Sequence, residues 1–109
     1  MAPSQMTAAT AMFERISVAE AQALIAAEAC HVVDIRDAQS YAEAHVPEAS
    51  HLDGNTVDEF VATGDRERPL VIYCYHGNSS QSAAQYFAGQ NFKRVFSVDG
   101  GFEAWRALL

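Results

Sequence analysis

Between Leu70 and Ser80 the chain reads LVIYCYHGNSS, an apolar run ending at Cys74, a short polar loop with Gly77, and the start of a helical pattern. A strand, a glycine loop and a helix in that order make one unit of a parallel α/β fold, with the loop at the carboxyl end of a buried strand. Cys74 therefore faces backbone N–H groups and a helix N-terminus. Oriented amides and the positive end of a helix dipole favour sulfur as an anion and lower a thiol from its reference pKa of about 8.5. The segment predicts a nucleophile.

The rest of the chain alternates in the same way. Phe13 to Ile16 reads as a short first strand, and Ser17 with Glu20 forms a capping box that opens a helix to about Ala27, with Ala21, Leu24 and Ile25 as its apolar stripe. His31 to Ile35 is a β-branched run of the kind found in buried parallel strands, and Asp37 caps a second helix that carries Tyr41 and Ala44 and is stopped by Pro47. Ala49 to Leu52 reads as another strand, Asn55 or Thr56 as the cap of a helix to about Ala62, and Gly64 to Pro69 as a charged turn. Helical spacing over Ser80 to Gln90 follows the cysteine loop, then a strand over Val95 to Val98, then Gly100 and Gly101 leading into a helix with Phe102, Trp105 and Leu109. The expected fold is an α/β domain with a five-stranded, mostly parallel sheet covered by helices on both faces, whose ligands bind outside the carboxyl ends of the strands. Residues 1–12, small and polar without a period, are expected to be a flexible tail, leaving 13–109 as one domain.

Charge and composition exclude some classes of partner. A formal net charge of −7 argues against nucleic acid and anionic membrane surfaces. No run approaches the roughly 18 apolar residues of a membrane span, and the first residues lack the basic and apolar regions of a signal peptide. The two cysteines, Cys30 and Cys74, stand in dissimilar contexts, which fits a reducing cytoplasm better than a disulfide scaffold. No His, Cys, Asp or Glu cluster has metal-ligand spacing, so neither a metal nor another cofactor is expected.

Four segments together carry a family resemblance: VDIRD (Val33 to Asp37), AHVPEA (Ala44 to Ala49), CYHGNSS (Cys74 to Ser80) and DGGFEAW (Asp99 to Trp105). In order and spacing over about residues 13–109 they resemble a single-domain rhodanese. The resemblance implies a three-layer rhodanese-like domain and a thiosulfate sulfurtransferase, in which Cys74 shuttles a sulfane sulfur as a persulfide to cyanide or to a thiol acceptor such as the small dithiol protein thioredoxin.

The residues support that chemistry in their own right. A Cys74 thiolate that attacks the outer sulfur of thiosulfate, expels sulfite and is then discharged by a second nucleophile is covalent catalysis in two half-reactions. The loop formed by Tyr75, His76, Gly77, Asn78, Ser79 and Ser80 can point amides at the anionic sulfur, with Gly77 relaxing the steric limits on the curve and the two serines adding hydroxyls or a helix cap. By analogy with oxyanion holes, each well-placed donor contributes roughly 3 kcal/mol. The loop holds no Arg or Lys, unlike its two-domain relatives, and His76 is its only residue able to become cationic near neutral pH. Cysteine-dependent phosphatases and arsenate reductases share this arrangement but need an Arg as the sixth residue after the cysteine, where Ser80 stands. A sulfur-relay or binding module that takes persulfide from a protein partner is the other alternative.

Outside the loop the residues read as structural. Asp34 and Arg36 are expected to form a buried pair pinning the sheet edge to neighbouring loops. His45 is expected to pack the turn before Pro47, and Cys30 to be an inert, partly buried thiol with no basic neighbour. Phe102 and Trp105, three residues apart, are expected in the core, with Phe102 near enough to line one wall of a pocket.

Overall fold

The computed structural model of the protein describes residues 12–109, so most of the expected tail lies outside the described residues. The strands are β1 (Glu14–Ile16), β2 (His31–Asp34), β3 (Ser50–His51), β4 (Leu70–Tyr73) and β5 (Val95–Val98). The helices are α1 (Val18–Ala27), α2 (Ala38–Glu43), α3 (Val57–Thr63), α4 (Ser79–Gly89) and α5 (Gly101–Trp105), and a 3-10 turn (Arg106–Leu108) follows α5. The sheet runs β1-β5-β4-β2-β3 with every neighbouring pair parallel.

Side-chain alternation divides the strands between two cores. Ile16, Val32, Val71, Tyr73, Phe96 and Val98 face one layer, with Val18 and Ala21 of α1 and Phe102 and Trp105 of α5. Val33, Leu70, Ile72 and Val95 face the other, with Ala84 and Phe87 of α4 and, at its margin, Phe60 of α3. A period of two in a strand buried on both sides needs apolar residues at every position, which is why LVIY is buried throughout.

The local signals explain most element ends. Ser17 Oγ accepts from Glu20 N at 3.0 Å and Glu20 Oε1 from Ser17 N at 2.8 Å, closing the capping box. Asp37 caps α2 by accepting from Ser40 N at 2.9 Å. That helix ends at Glu43, so Ala44 is its cap rather than part of it, and the extended backbone the chain needs before Pro47 begins there. Thr56 occupies the N-cap of α3 without a side-chain cap bond; its hydroxyl instead accepts from Asp53 N at 3.0 Å, while Asp53 Oδ1 accepts from Asn55 N at 2.8 Å. Leu109 lies past the last turn, 60% exposed, because Phe102 and Trp105 already fill the core beneath α5.

From the adjacent strands β4 and β2 the chain leaves in opposite directions, through α4 to β5 and through α2 to β3, so their carboxyl ends form the switch-point crevice of the sheet. Cys74 ends one strand and the Asp34–Arg36 pair ends the other. Because β2 lies one strand in from the edge, the pair anchors an interior strand end rather than the sheet edge. Arg36 Nη2 donates to Asp34 Oδ2 at 2.7 Å and to the Ala44 carbonyl at 2.6 Å, and its guanidinium lies 4.1 Å from the centre of the Phe102 ring. His51 Nε2 donates to the Arg36 carbonyl at 2.6 Å, and Val46 N donates to the Tyr73 hydroxyl at 3.1 Å. His45 stacks on Tyr41 and donates from Nδ1 to the Tyr41 carbonyl at 2.7 Å.

Asp34 has no solvent exposure, so removing its partner leaves a buried charge uncompensated. Arg36→Ala is expected to cost about 3–5 kcal/mol in urea unfolding. Arg36→Lys should recover less than half of this, because an ammonium cannot span Asp34 and Ala44 as the guanidinium fork does.

Candidate active site

The apolar run of β4 delivers Cys74 to the switch-point crevice, and the next six residues, four of loop and the first two of α4, curl back over the sulfur. The turn depends on Gly77, whose φ of +93° is readily open only to glycine and whose missing Cβ would stand 2.9 Å from Gly100 N. Gly77 N donates to Cys74 Sγ at 3.2 Å and Ser80 N donates at 3.3 Å. The side chain at the N-cap of α4, Asn78, makes no capping bond, so the cysteine sulfur itself accepts the helix's free amide. Ser80 Oγ lies 3.4 Å from the sulfur.

These contacts oppose one another electrostatically. Burial pushes the Cys74 thiol up, whereas the Ser80 hydroxyl and the amides of Ser80, Gly77 and His76 push it down, and the donors win, leaving the thiol below its ordinary value. Cys30 goes the other way: burial and Glu28 raise it, with Arg94 opposing. Arg94 supplies the basic neighbour that the linear sequence around Cys30 lacks, but it donates to the Glu28 carboxylate at 3.0 Å. The two thiols are thus electrostatic opposites.

The remaining loop residues divide by exposure. Tyr75 is 40% exposed and bonds through its hydroxyl to the Asp37 carboxylate, tying the loop to the start of α2. That bond, with those from Ser40, holds Asp37 well below the usual carboxylate range. His76, Asn78 and Ser79 are exposed around the rim, whereas Gly77 and Ser80 are buried beneath it. Phe102 lines a cleft of about 230 Å³ together with Arg36, Ser40, Tyr75 and Arg106.

Two features were not evident in the sequence. The first is a clamp from α5: Phe102 N donates to the Cys74 carbonyl at 2.8 Å and Glu103 N to the Tyr75 carbonyl at 3.1 Å. Gly101, at φ +59°, makes that approach possible, since a Cβ there would lie 2.6 Å from both carbonyl oxygens. The second is Ser97 on β5, fully buried, with its hydroxyl 2.8 Å from Ser80 Oγ. Its signal in the sequence is that it is the one polar residue in the strand VFSV.

The model of the Rhodanese-like domain matches residues 17–108. This chain belongs to the rhodanese-like family. It is 53% identical over 95 residues to a thiosulfate sulfurtransferase GlpE of Pseudomonas savastanoi, covering 87% of this chain and 89% of that one. Among solved structures, a protein of Bacillus halodurans superposes with a TM-score of 0.74 at 30% identity, covering 87% of this chain and 72% of the other. A protein of Rhodopseudomonas palustris described as a possible tyrosine phosphatase superposes with a TM-score of 0.75 at 26% identity, covering 88% and 81%. The five-stranded parallel sheet with helices on both faces is thus the architecture of a rhodanese-like domain.

Gly101→Ala should force the loop carbonyls away from α5 and place alanine in the left-handed region. We expect a loss of about 2–4 kcal/mol in thermal unfolding, with the Cys74 thiol titrating closer to its ordinary value. A second expectation follows from linkage. Below the folded thiol's pKa the sulfur is protonated in both states; between that lowered pKa and the ordinary thiol value of the unfolded chain, about 8.5, only the unfolded chain holds the proton. Wild type should therefore gain stability over Cys74→Ser as pH rises through that window, and lose the advantage as pH falls through it, as read by denaturation midpoints across pH.

Proposed function

We propose that the chain is a thiosulfate sulfurtransferase that carries the transferred sulfur on Cys74 as a persulfide. The observation that carries this reading is the convergence of two amides and one hydroxyl on a single buried sulfur at the carboxyl end of β4. The names of relatives such as that of Pseudomonas savastanoi support thiosulfate as the donor.

In the first half-reaction the Cys74 thiolate forms a bond to the outer sulfur of thiosulfate, and the S–S bond of thiosulfate breaks with its electron pair leaving on sulfite. The enzyme then holds a persulfide whose terminal sulfur bears the negative charge. In the second, an acceptor nucleophile takes that sulfur and the bonding pair returns to Cys74 as thiolate; with cyanide the product is thiocyanate. Charge and electrons balance without a bound cofactor or metal. The amides of His76, Gly77 and Ser80 serve the charge in each state, and because they are fixed by the fold they need no reorganisation as it moves.

A dithiol protein such as thioredoxin suits the acceptor role, because the loop stands at the surface with His76, Asn78 and Ser79 on its rim. A reducing cytoplasm would keep both thiols free, as they are here. Among the described residues no helix is long and apolar enough to cross a membrane.

One observation favours a second reading, relay from a protein persulfide donor: no Arg or Lys lies in the loop to hold free thiosulfate. Phosphatase chemistry is disfavoured by Ser80, which fills the sixth place after Cys74 with a buried hydroxyl where phosphate binding calls for a guanidinium fork. Incubating reduced protein with thiosulfate, desalting it and measuring intact mass distinguishes these readings. Wild type is expected to gain one sulfur atom that cyanide removes, and Cys74→Ser none. No gain in wild type would move the function to relay, and gain in the variant would overturn Cys74 as carrier.

A further inference from the structure

Ser97 is unexplained by packing. It sits on β5 opposite Ile72, between Phe96 and Val98, with no exposure, in a strand whose other residues are apolar. A hydroxyl at such a place costs stability unless it is hydrogen-bonded, and a valine or alanine would fill the position without that cost. Its bond is to Ser80 Oγ at 2.8 Å, and Ser80 Oγ in turn lies 3.4 Å from Cys74 Sγ. Ser80 is also without exposure, so the two hydroxyls form a buried line that ends on the nucleophile.

We propose that Ser97 is a positioning residue, which sets the direction of the Ser80 hydroxyl so that it can follow the charge on Cys74. When Cys74 is a thiol, its S–H points to Ser80 Oγ and the Ser80 hydrogen points to Ser97 Oγ. When Cys74 is a thiolate, Ser80 turns its hydrogen to the sulfur, and the Ser97 hydroxyl donates to the Ser80 oxygen. Between the two states the Cys74 S–H bond breaks and its proton leaves to the solvent base; the serines lose and gain no proton, and only their two O–H groups rotate. A hydroxyl that accepts one hydrogen bond while donating another is polarised, and here the donation is to a charge in a place that water does not reach. Without Ser97, Ser80 loses this partner in the thiol state and is not polarised in the thiolate state.

The other titratable groups on elements around the thiol are His76 and Tyr75 on its loop, Tyr73 on β4, which faces the opposite core, the exposed Tyr86 on α4, Asp34 at the end of β2 and Arg36 after it, Asp99 after β5 and Glu103 on α5. Asp34 is closed on Arg36, Asp99 on Arg15 and Tyr75 on Asp37, and the side chains of His76 and Glu103 are exposed and not bonded to the two serines. The serine pair is the side-chain device that reaches the sulfur.

The inference rests on Cys74 as the reacting group, but its test reads the thiol directly. Thiolate absorbance is titrated against pH in wild type, Ser97→Ala, Ser97→Val, Ser97→Thr, Ser80→Ala and the double Ser80→Ala/Ser97→Ala, with thermal midpoints as a check on folding. Ser80→Ala should raise the thiol midpoint by about one pH unit, and Ser97→Ala and Ser97→Val by about half of that. Ser97→Thr should restore the wild-type midpoint, and Ser97→Ala should add nothing in the Ser80→Ala background. The pH profile of persulfide formation should move by the same amounts. An unchanged midpoint in Ser97→Ala or Ser97→Val, or an equal shift with Ser80 already removed, would overturn the positioning role of Ser97. Failure of wild type to take up sulfur would overturn the sulfurtransferase reading instead, leaving these midpoints to decide the role of Ser97.

Discussion

Two hydrogen bonds, from the first amides of α5 to the carbonyls of Cys74 and Tyr75, hold the whole site in place. They hold the Cys74 and Tyr75 carbonyls toward α5 and so leave the His76 amide, on the other side of the Tyr75 peptide, to face the sulfur, where the Gly77 and Ser80 amides also point. A loop with its carbonyls reversed would repel a thiolate. The clamp works because Gly101 lets the backbone of α5 approach more closely than any side chain would permit, and because Phe102 and Trp105 bury α5 firmly against β4 and the first core. Packing energy in that layer thereby becomes electrostatic order in the loop.

The sulfur is treated as a charge on one side of the sheet and as part of the core on the other. Tyr73 and Cys74 are successive residues facing opposite layers: Tyr73 stacks on Phe102 and bonds to Val46, while Cys74 turns toward α4. Burial alone would make the thiol inert, which is the condition of Cys30. What separates the two is the donors and not the depth, since amides fixed by a helix start and a glycine turn outweigh desolvation at Cys74 and are missing at Cys30. The same logic explains how the loop dispenses with a cation: backbone N–H groups bring partial positive charge without the desolvation that a buried lysine would incur.

Much of this was legible in the chain. Hydrophobic runs of four residues, the Ser17–Glu20 box, the Asp37 cap and the glycine loop are local signals, and each corresponds to an element found at or within a residue or two of the expected place. Two local rules compete at Ala44, which has a helical composition but must become extended ahead of Pro47; Thr56 does stand at the N-cap of α3, with its hydroxyl turned to Asp53 N instead of the helix's own amides.

By itself the sequence determined the class of the fold, the place of Cys74 after an apolar strand and the loop around it, because strand and helix periods, caps and glycine turns act over a few neighbouring residues. Only the tertiary structure decided which distant groups meet there. Strand order set β5 beside β4 and so put Ser97 under Ser80, the approach of α5 brought Gly101 against the Cys74 carbonyl, and α2 brought Asp37 to Tyr75. Such pairings are separated by up to 38 residues along the chain and carry no local mark, since hydrogen bonds depend on distance in space and not on order in sequence.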